Sequence, residues 1–237
     1  MPEPASPPYR EIRAHYDDDF ITVYQAYKPS IAEAAVATQK LSASPDFRPG
    51  RMTWIKPSWS WIMYRSGYSF KDPGQARILA LKMRHEHFLG LLEQGVVANE
   101  NRGPESNGGQ QASASSTEPQ TSSDEKGQKL RTSHVRIQWD PERTPGLQPL
   151  PYRSIQIGIP AGLSRTWTEK WIAEIEDVTD RARALKSALD EDPELTLEEL
   201  VGRDLVPVER SYPVSENLRS ILQMDGLEST SKPKSKP

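Results

Sequence analysis

The stretch from Arg51 to Gly67 carries the residue types best suited to binding a charged ligand. Lys56 is followed by Pro57 and Ser58, a pattern typical of a strand that ends at the proline and a helix that the serine caps. Free backbone N–H groups at such a helix start, with the lysine and the serine hydroxyl beside them, make an anion or phosphate site. We therefore predict that this corner binds phosphate.

Arginine and aromatic side chains surround the predicted corner. Arg51 and Arg65 are expected to add bidentate phosphate contacts. Trp54 or Trp61 is expected to offer a stacking face for a base or a nicotinamide ring. Trp61 also shares a helix face with Tyr64 and Arg65 by its spacing. In the alternative interpretation the tryptophans belong to the core, the lysine is solvated and Arg65 pairs with a surface carboxylate.

A second group of candidate residues ends the first apolar segment, Phe20–Tyr27. Its β-branched and aromatic residues predict a strand. Tyr24 and Gln25 are predicted catalytic residues, because the glutamine amide can recognise a ligand's amide or hydroxyl. The alternative is that Gln25 only bonds a neighbouring strand.

The third group lies where His134–Asp140 alternates apolar and polar residues, which predicts a strand with one polar face. Asp140 and Glu142 are the carboxylates best placed for general-base work, and nearby arginines would keep them ionised. The other side chains predicted to contact a ligand here are Arg136, Gln138, Arg143, Arg153 and Gln156. The alternative is a solvated face.

Several chemistries are excluded or disfavoured by the composition. The chain has no cysteine, which excludes disulfides, thiolate metal sites and a cysteine nucleophile. The histidines show no zinc-type spacing with carboxylates, so we expect no metal. No Gly-rich phosphate loop and no Gly-x-Ser-x-Gly elbow occur, which argues against a P-loop enzyme, a Rossmann dehydrogenase and the common hydrolase fold.

The length of 237 residues favours one domain. The formal net charge of the chain is -3. A small negative net charge does not favour binding of the whole chain to nucleic acid or to an anionic membrane. Polar composition predicts disorder at residues 1–8, in an insert at 98–130 and in the tail 223–237, which leaves one domain at 9–222. With no signal peptide or membrane-spanning run, we expect a cytoplasmic or nuclear protein. Its oligomeric state stays open.

The elements that must position these residues form an α+β fold, with a mixed or split sheet of about six strands flanked by helices. The predicted strands are Phe20–Tyr27, Arg51–Lys56, Ala76–Met83, His134–Asp140, Arg153–Ile159 and Ile172–Val178. The predicted helices are Ile31–Leu41, Trp59–Ser66, Glu86–Gln94, Asp180–Leu189, Leu195–Leu200 and Ser215–Leu222. Residues 141–151 are predicted to form a loop. One alternative is a continuous helix from 166 to 189.

Five strings of the chain resemble the family called domain of unknown function 4291, found in bacteria and fungi. They are Ile12-Arg-Ala-x-Tyr16, Val23-Tyr-Gln-Ala-Tyr27, Arg51 to Ser58 with Trp61 to Gly67, Val135 to Arg143, and Arg153 to Gly158. The resemblance runs from about Arg10 to about Leu222. It implies a single intracellular domain with no established activity. The insert and the tail depart from the family's pattern but do not touch these strings.

A weaker resemblance is to ADP-ribosyltransferase-like folds, in which a compact split sheet cradles NAD. Val23-Tyr-Gln-Ala and the helix that follows are similar in arrangement. The histidine often found at the position of Gln25 is absent, and no late catalytic glutamate can be assigned. As an analogy at the level of the fold, this resemblance implies NAD as the cofactor and group transfer as the reaction.

Three hypotheses follow. The first is an enzyme acting on a nucleotide-like or phosphate-bearing substrate, an NAD-dependent ADP-ribosyltransferase-like transferase, in which the candidate residues converge on one cleft. The second is a non-catalytic module that binds RNA or another nucleic acid, with an open basic and aromatic face. The third is a structural interaction domain, whose tryptophans are fully buried and which has no pocket near Lys56.

Overall fold

The computed structural model describes residues 7–98 and 134–224. Within these ranges nine strands form three sheets, accompanied by seven α-helices, which confirms the predicted α+β class. Residues 1–6, nearly all of the predicted insert and most of the predicted tail lie outside the described ranges. None of the described helices is long and apolar enough to cross a membrane.

The bounds of the elements follow. The strands are β1 (Arg13–Ala14), β2 (Phe20–Tyr27), β3 (Thr53–Ile55), β4 (Arg77–Arg84), β5 (Gly95–Val97), β6 (Val135–Arg143), β7 (Pro149–Ile159), β8 (Ile172–Asp177) and β9 (Arg210–Ser211). The helices are α1 (Pro29–Thr38), α2 (Trp59–Ser66), α3 (His85–Glu93), α4 (Ser164–Thr166), α5 (Thr179–Glu191), α6 (Leu197–Gly202) and α7 (Glu216–Ile221). A π-helical turn, Trp167–Trp171, follows α4.

Two of the sheets build the body of the fold. The three-stranded sheet has the order β2-β4-β8, and the four-stranded sheet has the order β3-β7-β6-β5. All of their pairs are antiparallel except β5 with β6, which is parallel. In the four-stranded sheet Ile157 lies opposite both Ile55 and Ile137, so one face presents a row of isoleucines. The predicted alternation of β6 and β7 is confirmed.

The apolar residues of the three-stranded sheet serve two different cores. Val23 and Leu81 pack in the larger cluster, together with Ile157 of the four-stranded sheet. Tyr24, on the opposite face of β2, packs in a smaller cluster with Trp59 of α2. Because neighbouring residues of a strand point to opposite faces, the sheet can carry apolar residues on both sides.

Helix α2 forms as its sequence predicts. The Ser58 hydroxyl accepts a hydrogen bond from the backbone N–H of Trp61 at 3.1 Å and caps the first turn. Gly67 ends the helix with a φ of 58°, a left-handed conformation that glycine adopts without steric cost. Trp59, Ile62 and Met63 are at most 2% exposed, which confirms the predicted core face.

One prediction about secondary structure is wrong. Most of the predicted loop at 141–151 belongs to a hairpin, because β6 continues to Arg143 and β7 begins at Pro149. Pro141 is tolerated because the register of the pair shifts next to it. The predicted strand over 172–178 is confirmed, because β8 pairs with β4, and the alternative of a continuous helix over 166–189 is therefore not adopted.

Candidate functional site

The two main sheets meet at one backbone contact between Tyr24 and Lys56. The Tyr24 N–H donates to the Lys56 carbonyl at 2.8 Å, and the Lys56 N–H donates to the Tyr24 carbonyl at 3.3 Å. This bridge joins β2, an edge of one sheet, to the chain just after β3, an edge of the other. The first strand and the tryptophan-rich stretch therefore meet at the backbone level.

Beside this bridge lies a cavity of about 400 Å³, which we call the inter-sheet cleft. Among its lining residues are Gln25, Tyr27, Lys28, Asp46, Phe47, Arg48, Arg51, Thr53, Trp54, Lys56, Arg65, Gln156 and Ser164. Its volume falls in the range of small-molecule sites, roughly 300–1,000 Å³. The third hypothesis expected no pocket near Lys56, and the cleft argues against it.

The charges of the cleft are mostly positive. Its lining contributes five cations, namely Lys28, Arg48, Arg51, Lys56 and Arg65, and a single carboxylate. That carboxylate, Asp46, already accepts from Lys28 at 2.8 Å and from the Ser30 hydroxyl at 2.6 Å. Among the described residues, no carboxylate lies within ion-pair distance of Arg48, Arg51, Lys56 or Arg65. The cleft therefore offers unneutralised positive charge.

Lys56 is the most unusual of these cations, because it is only 4% exposed. Within the described ranges no hydrogen bond or ion pair is made by its Nζ. Burial, and secondly the positive charge of Arg65, lower the pKa of Lys56 to about 7, although Asp140 acts in the opposite direction. A substantial fraction of the Lys56 amine is therefore neutral near pH 7.

Gln25 lines the cleft, but its polar atoms already have partners. Its amide nitrogen donates to the Thr53 hydroxyl at 2.7 Å and to the Trp54 carbonyl at 3.0 Å. Its oxygen accepts from the Tyr27 hydroxyl at 2.8 Å. Gln25 therefore links β2 to β3 by hydrogen bonds, and these bonds position the Tyr27 side chain and the Trp54 backbone.

Trp54 forms a wall of the cleft because Gly158 leaves room for it. On the paired strand β7, Gly158 lies directly opposite Trp54. A Cβ at Gly158 would come within 3.0 Å of the Trp54 ring, so the indole lies against the glycine backbone. The absence of a side chain at this position allows the aromatic face to sit where it does.

The polar face of β6 is connected to the cleft by Gln156, a residue of the neighbouring strand β7 that lines the cleft. The Gln156 amide donates to the Gln138 oxygen at 2.8 Å and to an Asp140 carboxylate oxygen at 3.3 Å. Asp140 is near enough to Lys56 to act on its pKa. Arg136 lies on the same strand face, opposite Gly158. Asp140 does not line the cleft itself, but it contacts Gln156, which does, and it is the predicted carboxylate nearest in effect to Lys56.

The other predicted base, Glu142, is elsewhere. It is 5% exposed and accepts from the Ser58 hydroxyl at 2.9 Å and from the Arg143 N–H at 2.8 Å. Glu209 lies beside it and accepts from the Trp59 N–H at the start of α2. We call Glu142 and Glu209 the carboxylate pair. The predicted phosphate position at the start of α2 is therefore filled by the protein's own acidic side chains.

The carboxylate pair has unusual protonation. Burial raises the pKa of Glu142, while its hydrogen bonds to Arg143 and Ser58 act in the opposite direction. Burial, and secondly the nearby Glu142, raise the pKa of Glu209 to about 8. At neutral pH Glu209 is mostly protonated and can still accept the Trp59 hydrogen bond through its carbonyl oxygen. This neutral acid relieves the repulsion between the two side chains.

Several other predicted residues do not line the cleft, namely Tyr24, Trp61, Tyr64, Arg136, Gln138 and Arg143. Tyr24 faces away from it and contacts Trp59 edge to face at 5.3 Å, beside a second cavity of about 170 Å³. Trp61 is 8% exposed and packs against Tyr64 at 5.1 Å. The Arg143 guanidinium lies 3.9 Å from the centre of the Tyr64 ring.

Arg153 also lies outside the lining of the cleft. Its guanidinium donates to the Tyr9 hydroxyl at 2.8 Å and to the Trp139 carbonyl at 3.0 Å. It therefore ties the start of the described chain to the hairpin of β6 and β7.

Sequence reasoning missed Lys28, Arg48 and Glu209. Arg48 stands three residues before Arg51 across a Pro-Gly turn, and that spacing of two arginines was an available signal. Glu209 reaches α2 from 150 residues further along the chain, and no local pattern indicates this contact.

The chain is thus an α+β protein whose two main sheets enclose a cation-lined cleft. A family model, the domain of unknown function 4291 (DUF4291), matches residues 11–212, and the chain belongs to that family. This match confirms the family resemblance based on the five quoted strings. No curated protein matches the chain.

Proposed function

We propose that the inter-sheet cleft binds a phosphate-bearing, nucleotide-like small molecule, with NAD as the first candidate and transfer of its ADP-ribose group as the reaction to test. The observation that carries the proposal is the set of five cations around a cavity of about 400 Å³ that contains one, already paired, carboxylate. Guanidinium groups bind phosphate oxygens in a bidentate manner and stay charged at any physiological pH. Arg51, Arg65 and Arg48 are the phosphate ligands of this proposal.

The remaining walls suit the organic part of such a ligand. Trp54 offers a ring face for stacking, and Gln156 offers an amide that a base or nicotinamide can contact. Asp140 takes the charge-stabilising or base role, whereas Glu142 is excluded from it by its burial in the carboxylate pair. Gln25 acts by positioning Trp54 and Tyr27. Tyr24 has no ligand role, because it faces the other side of β2.

The test is a binding panel on the purified chain, using thermal shift and calorimetry with NAD, ADP-ribose, ATP, nucleoside monophosphates, pyrophosphate and short RNA. A ligand at about 100 times its Kd should stabilise the protein by about 2.7 kcal/mol. Arg65→Ala should weaken binding about tenfold or more, since it removes a charge-assisted contact. Arg203→Ala, which removes an exposed arginine at the C-cap of α6, is the matched control and should bind normally.

Three results would reject the proposal: no shift with any small molecule, equal binding by wild type and Arg65→Ala, or equal loss in Arg203→Ala. Binding of RNA alone, with an affinity that falls steeply as salt rises, would replace it with the nucleic-acid module. Where NAD binds, release of nicotinamide by wild type and its loss in Asp140→Asn would support the transferase assignment. Intact NAD after long incubation with candidate acceptors would limit the function to binding.

A further inference from the structure

Lys56 and the arginines of the inter-sheet cleft are suited to different tasks. A guanidinium remains charged and matches phosphate geometry, whereas a buried amine loses its proton readily and becomes a nucleophile. Lys56 is 4% exposed, and its Nζ makes no hydrogen bond within the described ranges although it borders a cavity. An amine used only for phosphate binding gains nothing from such burial, because removal from water disfavours its charged form.

We propose that the Lys56 amine forms an imine with the aldehyde of a phosphorylated sugar held in the inter-sheet cleft. The proposal rests on the proposed function, because the same arginines must hold the phosphate. The ligand class is a phosphorylated aldehyde, which includes both simple sugar phosphates and the open-chain ribose of ADP-ribose. Arg51 and Arg65 line the same cavity as Lys56, so a phosphate that they bind keeps the rest of the ligand within the cavity that Lys56 borders.

The step balances without any further reactant. The lone pair of the neutral nitrogen attacks the aldehyde carbon and forms the C–N bond. Both protons of the nitrogen then pass to the former carbonyl oxygen, the C–O bond breaks, and water leaves. No electrons are gained or lost. Asp140, whose charge acts on Lys56, is placed to carry these protons.

The charged groups around Lys56 favour this reaction near neutral pH. Arg65 on α2 and the burial of the amine both oppose its protonation, while Asp140 on β6 favours protonation more weakly. Arg51, in the loop before β3, adds a further positive charge to the cleft. Near pH 7 about half of the Lys56 amine is neutral, against well under about one per cent for an ordinary lysine.

The experiment uses pyridoxal 5′-phosphate, a phosphorylated aldehyde, with cyanoborohydride to trap the imine and peptide mass spectrometry to locate it. At pH 7 Lys56 should be labelled about tenfold faster or more than the exposed Lys40. Pyridoxal, which lacks the phosphate, should lose this preference. Ribose 5-phosphate and ADP-ribose, trapped in the same way, distinguish a simple sugar phosphate from a dinucleotide-derived source.

Two variants sharpen the result. Lys56→Arg, checked for folding by circular dichroism, should abolish the label at this position and leave that at Lys40 unchanged. Arg65→Ala should keep the amine but reduce the preference for the phosphorylated aldehyde over pyridoxal. Labelling spread evenly over exposed lysines would overturn the proposal, as would equal labelling of Lys56 by pyridoxal and its phosphate.

The outcomes separate this inference from the function on which it rests. If nucleotides bind in the thermal-shift panel but Lys56 resists labelling, the imine is refuted and the binding site stands. If Lys56 is labelled selectively by the phosphorylated aldehyde while no nucleotide binds or protects it, the nucleotide proposal fails. In that case the cleft is assigned to sugar phosphates.

Discussion

Two buried charge centres stand on either side of Pro57 and are treated differently by the fold. Lys56, just before the proline, opens onto the inter-sheet cleft. Ser58, just after it, donates a hydrogen bond to Glu142, the buried member of the carboxylate pair, at the first turn of α2. Lys56 and Ser58 are only two residues apart, yet within the described ranges Lys56 makes no ion pair with Glu142 or Glu209.

The separation has a structural cause. Pro57 ends the extended segment, and the chain turns into α2 at Trp59, so the side chains on the two sides of the turn point into different compartments. The closed compartment neutralises itself by protonation and by hydrogen bonds from Ser58, Trp59 and Arg143. In the open compartment the cations that line the cleft outnumber its one carboxylate, and we propose that a ligand supplies the missing negative charge.

The largest expected effect is on the closed side. Trp59 is 1% exposed and contacts Tyr24 and the Arg181 guanidinium, so Trp59→Ala should cost about 3–5 kcal/mol of the free energy of unfolding. Trp54→Ala, on the partly exposed wall of the cleft, should cost about 1 kcal/mol but remove ligand stacking. Urea unfolding and calorimetry measure the two effects. Equal losses of stability would show that the two sides do not differ.

The second prediction concerns the open side. Lys56→Met removes a buried amine whose pKa is near 7 when folded and 10.5 when unfolded. Between these values the unfolded state binds more protons, so the wild type gains stability as pH rises. The variant should therefore be more stable at pH 6, by on the order of 2 kcal/mol, with a gain that shrinks from pH 7 to 10.5.

The same variant should lose ligand binding. A gain in stability with a loss of binding is expected when a functional residue is replaced. Lys186→Met, which breaks only a surface pair with Asp190, is the control and should change stability by less than about 0.5 kcal/mol at any pH. A destabilised Lys56→Met at pH 6 would show that the lysine is structural. Denaturant unfolding at several pH values makes the measurement.

The third prediction returns to the carboxylate pair. Glu142→Ala leaves the Ser58 hydroxyl and the Arg143 N–H without their buried acceptor, which should cost about 1–3 kcal/mol. Glu142→Gln keeps an acceptor oxygen and should cost clearly less. Both variants should bind the cleft ligand as the wild type does. Lost binding in a folded Glu142→Gln would return Glu142 to the functional site.

The elements that the sequence predicts correctly are those set by interactions between residues close together in the chain. Periodicity identified β6 and β7, and a capping serine with a closing glycine identified α2, because these signals are local. The hairpin between β6 and β7 was missed, since its prolines argue against strands unless the register shifts beside them. Such a shift depends on the partner strand and leaves no local signal.

In the candidate site, too, local features follow from the sequence and contacts between distant segments do not. Strand alternation already places Tyr24 and Gln25 on opposite faces of β2, so their joint assignment to one cleft could have been avoided from the sequence. The meeting of Lys56 with Tyr24 and the arrival of Glu209 at α2 are tertiary contacts that no spacing encodes. Arg51, Lys56 and Arg65 were found because they lie within one short stretch.

The smallest expected effect is the pH response of Glu209. Its pKa is about 8 when folded against 4.5 when unfolded, so between these values the native state binds more protons and loses stability as pH rises. Glu209→Gln mimics the protonated acid and removes this loss. Because the residue is partly exposed, we expect the variant to gain only about 1 kcal/mol over wild type at pH 8.5 and almost nothing at pH 5.

Glu216→Gln, at an exposed position at the start of α7, is the matched control and should show no such pH-dependent gain. Unfolding at pH 5, 7 and 8.5 distinguishes the two carboxylates. If Glu209→Gln loses stability equally at all three values, Glu209 is ionised in the native state, and the carboxylate pair must be neutralised by a cation. The contrast between a self-neutralised compartment and an open cationic cleft would then fail, because both compartments would depend on a bound ion of opposite charge.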